Sequence, residues 1–527
     1  MSPMIPTMDD ALRSAIDFPE RFNLADYFLD RRIADGLGDR VAIIDDNGRV
    51  TYRELQQLAN RVANALVAAD VRQEERVLIG LHDSIEFAAT FFGVLKAGAV
   101  VAMVNPELPG ADYAHYLEYT RARVFVCNGD VAHKASRELD EARHLQQAIV
   151  VGDVGASKKA VSWARVAAAP DAFDNRDTHR DDFAIWLFTS GSTGTPKAAV
   201  HLQHDFAFNT ECYAKRVLGL TTNDVTLGVP KLFFGYATGS NLMFPCAVGG
   251  KVVLFRDRAT PERIEALCKQ HGVTVLTSVP TMINKMCAHA GDDTAMKTVR
   301  ATISAGEALP EELYHRYKAK YGGEILDGIG SAELFHIYVS NVPGDVRPGS
   351  LGRVVPGYEA KIVRPDGQEA AHGEIGNLWV KGDSAALFYF QAHEKSKQTF
   401  HDDWVVSGDL FRSDEEGYLF YAGRADDLLK VGGIFVSPVE VESTLMRHPR
   451  VLEAAVIGYE DEERLVKAMA YVVAHDFDPG EAASLTAALV AHCKRELAAY
   501  KAPRKVEFVS ALPRSDRGKI LRRELGK

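Results

Sequence analysis

Apolar runs of strand length and amphipathic runs of helix length alternate along most of this 527-residue chain, and few architectures accept that pattern. Val41-Ala42-Ile43-Ile44 reads as a strand that turns back through Asp45-Asp46-Asn47-Gly48 as a hairpin. Thr51-x-x-Glu54 is a capping box, and Leu55, Leu58, Val62 and Leu66 behind it share one helix face. Strand 76–80, helix 84–97 and strand 99–104 follow. The alternation resumes with strands at 251–255, 273–278, 299–304 and 324–328, separated by helices at 261–270, 281–289 and 310–321. Helices covering the faces of a largely parallel sheet satisfy such an order. Between 345 and 420, Gly, Pro and Asp punctuate short runs such as Gly376-Asn377-Leu378-Trp379-Val380, as in a small β portion. The texture changes after Gly423-Arg424, and what remains suffices for a small α+β domain. The expected class is α/β: a large N-terminal domain, 1–425, of α/β subdomains plus the small β portion, then a small α+β C-terminal domain, 426–527.

Composition narrows the function classes. Hydrophobic content of 46% and charged content of 25% are ordinary for a globular chain, and no apolar run reaches membrane-span length. The first twenty residues carry Asp9, Asp10, Asp17 and Glu20 and no apolar core, so they do not read as a secretory signal. The formal net charge of −11 argues against a general nucleic-acid or anionic-membrane binder, which needs a basic face. Small anionic ligands stay open, because one loop can be positive on an acidic protein. Cys127, Cys212, Cys246, Cys268, Cys287 and Cys493 form no C-x-x-C pair and read as reduced core residues, so a cytoplasmic setting is expected.

Chemistry enters at Thr189-Ser190-Gly191-Ser192-Thr193-Gly194-Thr195-Pro196-Lys197, directly after the apolar strand Ala184–Phe188. Glycines free the backbone to wrap an anion, hydroxyls and N–H groups donate to phosphate oxygens, and a lysine neutralises charge. It is not a Walker A loop, because the lysine follows a proline and Ala198 stands where that pattern needs a hydroxyl. The order T-S-G-S-T-G-x-P-K resembles the phosphate-loop signature of the acyl-adenylate-forming enzymes: acyl-CoA ligases, firefly luciferases and the adenylation domains of peptide synthetases.

Five further segments match that family in order. In Ser304-Ala305-Gly306-Glu307, a glycine lets a flat ring approach the backbone, and the resemblance sets Gly306 and Glu307 beside adenine. Asp327-Gly328-Ile329-Gly330-Ser331-Ala332-Glu333 ends on an acid that the family uses to hold Mg2+ with the triphosphate; the chain departs from the family's aromatic-Gly-x-Thr-Glu at Ile329 and Ala332. Ser407-Gly408-Asp409 resembles the Thr-Gly-Asp whose carboxylate accepts from two ribose hydroxyls. In Gly423-Arg424-Ala425-Asp426, the resemblance gives Arg424 to the ribose and makes Asp426 the hinge of a mobile C-terminal domain. Pro513, Gly518 and Lys519 match Pro-x-x-x-x-Gly-Lys, whose lysine reaches the α-phosphate. Lys197, Glu333 and Lys519 occurring together argue against a non-catalytic nucleotide module.

The resemblance thus implies an ATP- and CoA-using ligase that adenylates a carboxylic acid and passes the acyl group to a thiol, with Mg2+ as cofactor. Lys231-Leu232-Phe233-Phe234-Gly235-Tyr236 is aromatic enough to wall an aryl ring. That loop and Gly-Ser-Ala-Glu-Leu-Phe-His-Ile resemble benzoate–CoA ligases, so Gly235, Tyr236, Ala305, Gly330, His336 and Ile337 are the expected pocket wall for a small aromatic acid. The alternatives are a hydroxybenzoate- or aminobenzoate–CoA ligase and a stand-alone adenylation enzyme loading a carrier protein. No nucleic-acid or membrane partner is expected, and the oligomeric state is left open between monomer and homodimer.

Overall fold

The computed structural model describes residues 16–190, 196–424, 429–431, 434–461, 466–514 and 520–526. Gly191, Ser192, Thr193 and Gly194 of the phosphate loop, Asp426, Gly518 and Lys519 lie outside the described residues.

Two mixed sheets carry the N-terminal part. The first runs in spatial order Phe388–Tyr389, Pro196–Leu202, Phe183–Ser190, Val100–Met103, Arg76–Gly80, Val124–Asn128, Gln147–Val151 and Ala160–Ser162. Its strands from Phe183–Ser190 to Ala160–Ser162 are parallel. Burial on both faces explains why Val100–Met103 is continuously apolar. The second runs Arg353–Val354, Ile337–Ser340, Ile325–Gly330, Ala301–Ser304, Val275–Ser278, Val225–Gly228, Lys251–Val253, Val41–Asp45 and Gly48–Thr51. The early hairpin therefore leaves its chain neighbours and pairs in parallel with Lys251–Val253, Ile43 opposite Val252.

The capping box forms in both directions: the Thr51 hydroxyl accepts from Glu54 N–H, and the Glu54 carboxylate accepts from Thr51 N–H at 2.8 Å. The helix it opens, Tyr52–Ala68, packs against Ile85–Lys96, which is buried nearly all round. Gly93 permits the close approach, since a Cβ there would lie 2.6 Å from Val62 Cβ. Residues 105–182, where the periodicity gave no element, hold the helices Asp112–Thr120, Gly129–Lys134, Ser136–Glu141 and Ala164–Ala167 besides three strands.

A smaller, antiparallel sheet joins Glu359–Val363, Gly376–Lys381, Trp404–Ser413, Phe400–His401 and Leu419–Arg424. The C-terminal residues build their own core, with Val436, Val441, Leu445, Val456, Leu489 and Cys493 packed together. There Val451–Glu460, Val466–Ala474 and Lys505–Phe508 form a sheet flanked by the helices Pro438–Met446 and Ala482–Glu496. All six cysteines are free, and Cys287 alone among them is not fully buried. Among the described residues no helix is long and apolar enough to cross a membrane.

Candidate functional site

Strands of both sheets end at one cavity. Thr189, Val279, Ala305 and Gly330, each at or just past the end of a strand, line a space of about 1370 Å³. Ligand sites in open α/β sheets favour this edge, where loops are free to vary while the strands hold them rigidly. Of the expected site residues, Thr189, Lys197, Gly235, Tyr236, Ala305, Gly306, Glu307, Gly328, Gly330, Glu333, His336, Ile337, Asp409 and Arg424 share this lining.

The polar wall is built from neighbouring strands. Asp409 and Arg424 are register partners across Trp404–Ser413 and Leu419–Arg424, with Arg424 Nη1 3.4 Å from Asp409 Oδ1. Gly306 has φ +90°, a backbone only glycine adopts easily, and a Cβ there would meet nothing within 4 Å, so its face is open to a ligand. Glu307 is already engaged: its Oε2 accepts from Thr281 N–H at 3.1 Å and from Thr281 Oγ1 at 2.7 Å. Thr281 lies in the first turn of the helix Pro280–Ala288, so the carboxylate also meets the positive end of that helix. Asp327 takes a different place from its neighbours. It is buried, shares one register level with Ser304 and Ser278, and does not reach the cavity lining. Burial pushes its carboxyl well above the usual range, with the Ser304 hydroxyl and Gly328 N–H opposing.

Glu333 is strapped from three sides. Its Oε1 accepts from the Tyr389 hydroxyl at 2.5 Å and its backbone oxygen accepts from Ala386 N–H at 2.8 Å. The preceding carbonyl, Ala332 O, accepts from His201 Nε2 at 2.7 Å, and His201 Nδ1 lies 2.8 Å from the buried Asp205 carboxylate. Beyond it the chain makes a γ-turn: His336 N–H donates to Leu334 O at 2.9 Å across Phe335, whose φ of +67° and ψ of −62° are strained for a residue with a side chain. That turn separates the Glu333 acid from the His336 ring. Lys197 faces the same space with its ammonium pulled below its usual range by burial and by repulsion from Lys395, against attraction from Glu333. Two cations set against each other call for an anion between them.

The second wall is aromatic. Phe233 and Phe234 lie 4.2 Å apart between ring centroids, and the His336 ring is packed among Tyr213, Tyr236, Phe244 and Phe335. His336 Nε2 donates to Tyr236 O at 2.9 Å, and burial drives the ring down to about 3, so it is a neutral imidazole in ordinary conditions. Glycine at 330 answers a local demand: a Cβ would fall 2.5 Å from His336 O on the paired strand. Gly239, which sequence patterning did not single out, seats the histidine, since a Cβ there would lie 2.5 Å from His336 Cδ2. Tyr389, Lys395 and Thr399 also line the cavity unannounced, and only the aromatic run Phe388-Tyr389-Phe390 hinted at them.

His82, Asp83, Lys231, Arg256 and Arg258 also line the cavity. Asp83 Oδ1 accepts from Leu232 N–H at 2.8 Å. Burial raises its carboxyl to about 6, against the pull of Lys231 and that N–H. The unfolded value is about 3.9. Between these pH values the folded chain holds more protons than the unfolded one, so stability falls as pH rises through roughly 4–6. Asp83→Asn keeps the acceptor and removes the charge. It is expected to flatten that fall and to be more stable than wild type above pH 6. Denaturant midpoints at pH 4, 5, 6 and 7 check this; parallel pH curves for the two proteins would refute it.

Comparison with known proteins follows from this geometry. Residues 30–390 match the family model described as AMP-binding enzyme, and residues 440–519 match its C-terminal domain. The chain is 41% identical to a benzoate–CoA ligase of Thauera aromatica over 97% of each sequence. The structure of an anthranilate CoA ligase in complex with anthranoyl-AMP superposes with a TM-score of 0.91 at 37% identity, covering 96% of this chain and 97% of that one. A benzoate CoA ligase from Burkholderia xenovorans LB400 superposes with a TM-score of 0.88 at 39% identity, covering 96% of this chain and 100% of that one. With a phosphate-loop strand, an acid and two lysines at one cavity, and both family models matched in order, the chain belongs to the AMP-binding enzyme family.

Proposed function

We propose that this chain is an AMP-forming acid–thiol ligase whose substrate is a small aromatic carboxylate, benzoate foremost. The observation that carries the reading is a single cavity lined both by lysines and hydroxyl residues and by closely packed, mutually tilted aromatic rings. A carboxylate is a poor acyl donor. Its own oxygen attacks the α-phosphorus of ATP, the bond to the β-phosphate oxygen breaks, and pyrophosphate leaves. The CoA sulfur then bonds the carbonyl carbon, the thiol proton is lost, and AMP leaves with the electron pair. The acid brings its own nucleophile, so the protein mainly positions and neutralises.

In this reading Lys197 and the residues 189–194 hold the β- and γ-phosphates, Asp409 and Arg424 hold the ribose, Gly306 lies under adenine, and Lys519 meets the α-phosphate. The proposed division of the chain is at Asp426, with 1–425 binding ATP and acid and 426–527 forming the lid. Mg2+ fits the donor set: Glu333 offers one carboxylate, and Mg2+ is commonly held by one or two carboxylates plus substrate phosphates. When bound, the ion supplies charge neutralisation on the triphosphate. Tyr389 orients Glu333 for that task.

One observation favours a ring-substituted substrate as the second reading. His336 Nε2 is a donor, which leaves Nδ1 an acceptor, and Nδ1 is buried without a hydrogen-bond partner among the described residues. His336 itself lines the cavity, so a ring amine or hydroxyl that reaches this buried nitrogen would satisfy it. Pyrophosphate release with benzoate, its amino and hydroxy derivatives and aliphatic acids, with and without CoA, tests both readings. Benzoate is expected to lead and thioester to form with free CoA. A preference for 2-aminobenzoate would establish the second reading, and dependence on a carrier protein would displace both.

A further inference from the structure

Arg514 joins the two family segments. It lies in the residues matched by the C-terminal model, while Thr281 and Glu307 lie in those matched by the AMP-binding model. Its Nη1 donates to Thr281 Oγ1 at 3.0 Å and stands 3.5 Å from Glu307 Oε1. Its Nη2 donates to Glu453 Oε1 at 2.9 Å, within its own segment. The side chains of Arg514, Glu307 and Glu453 are each only about a fifth exposed, at 23%, 19% and 23%. The guanidinium fork thus spans a carboxylate on each side, a geometry a point-charge lysine does not reproduce.

The backbone at this place is fixed as well. Leu521 N–H donates to Pro513 O at 2.8 Å, and Arg514 and Ile520 form an antiparallel bridge. Leu512 is buried against Ala455, Tyr471 and Val473. Residues 513–514 and 520–521, which flank 515–519 in sequence, are therefore tied to one another and, through Arg514, to Glu307. Glu307 in turn follows Gly306, the open-faced glycine of the cavity, and caps the helix that begins at Pro280.

We infer that Arg514 is a positioning residue for adenylation: by gripping Glu307 and Thr281 it ties the described residues on either side of Lys519 in sequence to the wall of the nucleotide cavity. The inference rests on the acid–thiol ligase reading. Its signature is an unequal effect on the two half-reactions. Adenylation needs a cation delivered to the α-phosphate, whereas capture of a supplied acyl-adenylate by CoA begins after that transfer.

The test measures pyrophosphate exchange with benzoate, and CoA capture of synthetic benzoyl-adenylate, in wild type, Arg514→Ala and Arg514→Lys. Loss of charge-assisted bonds predicts exchange roughly 10- to 100-fold slower in Arg514→Ala, with Arg514→Lys between it and wild type. Capture is expected to stay within about twofold, since that step needs no cation brought to the α-phosphate. Equal losses in both half-reactions, or unchanged exchange, overturn the inference. Amide hydrogen exchange on the same proteins, without any acid, reads the contact itself: protection at 281–284 and 520–525 is expected to fall together in Arg514→Ala. Unaltered protection at both places also overturns it. A wild-type protein inactive toward every acid yet showing the coupled loss of protection would instead count against the ligase reading alone.

Discussion

Lys519→Ala is expected to slow adenylate formation by on the order of 10²- to 10³-fold while leaving ATP affinity within about threefold. The argument turns on which cations act in the ground state and which in the transition state. Lys197 and Lys395 line the cavity and repel each other, so a polyphosphate relieves them as soon as it binds. Interactions of that kind lower KM without raising kcat, because substrate and transition state enjoy them alike. Attack on the α-phosphorus adds charge at a different place. A cation held there in a cavity of low dielectric stabilises the transition state selectively. The residue proposed for that place is Lys519, whose neighbour in sequence, Ile520, bridges to Arg514, the ion-pair partner of Glu307. Pyrophosphate exchange gives the rate, and titration with a fluorescent ATP analogue gives the affinity. Exchange within twofold of wild type, or affinity lost in step with rate, would falsify this role. Capture of preformed acyl-adenylate by CoA serves as the internal control, since that step makes no new charge on the α-phosphorus.

How much of this was legible beforehand follows the range of the interactions. The capping box at Thr51 and Glu54, the strand–helix alternation and the glycine positions are local, and each formed where the pattern put it. The motifs that pointed to the family are likewise short and local, and the family models span the segments that hold them. Pairings between distant segments left no local trace. Nothing in Val41–Asp45 says that it will lie beside Lys251–Val253, because a short apolar strand pairs as well with one buried neighbour as another. Tyr389 reaches Glu333 across 56 residues and Arg514 reaches Glu307 across 207, and each reads alone as an ordinary loop or tail residue. Asp327 shows the complementary limit. Its motif reads as nucleotide-binding, yet its side chain shares a layer with Ser278 and Ser304 and is not part of the cavity lining.

Lys96 is the other position where one substitution is expected to act strongly, this time on stability. A lysine in the last turn of a helix reads in sequence as a solvated end that favours the helix dipole. In the fold its side chain is 1% exposed. Its ammonium donates to both oxygens of Asp30 at 2.7 and 2.6 Å and to Asn175 Oδ1 at 3.0 Å. Asn175 Nδ2 and Gln56 Nε2 complete the Asp30 carboxylate at 2.7 and 2.8 Å. Burial pulls the ammonium below its usual range, and Asp30 opposes that pull, so the charge survives only through its partner. Lys96→Met removes the partner and leaves a carboxylate deprived of its counter-charge. Breaking a buried pair in this way costs about 3–5 kcal/mol. The midpoint of denaturant unfolding followed by tryptophan fluorescence should fall accordingly, with no matching change in the affinity for ATP. The double variant Lys96→Met/Asp30→Leu separates two explanations. If the cost lies in the orphaned charge, the second substitution restores most of the lost stability, because apolar packing of similar volume often equals or exceeds a buried ion pair. If the double variant is instead less stable than Lys96→Met, the network is needed for its hydrogen bonds to Asn175 and Gln56, and the electrostatic account of this site is wrong.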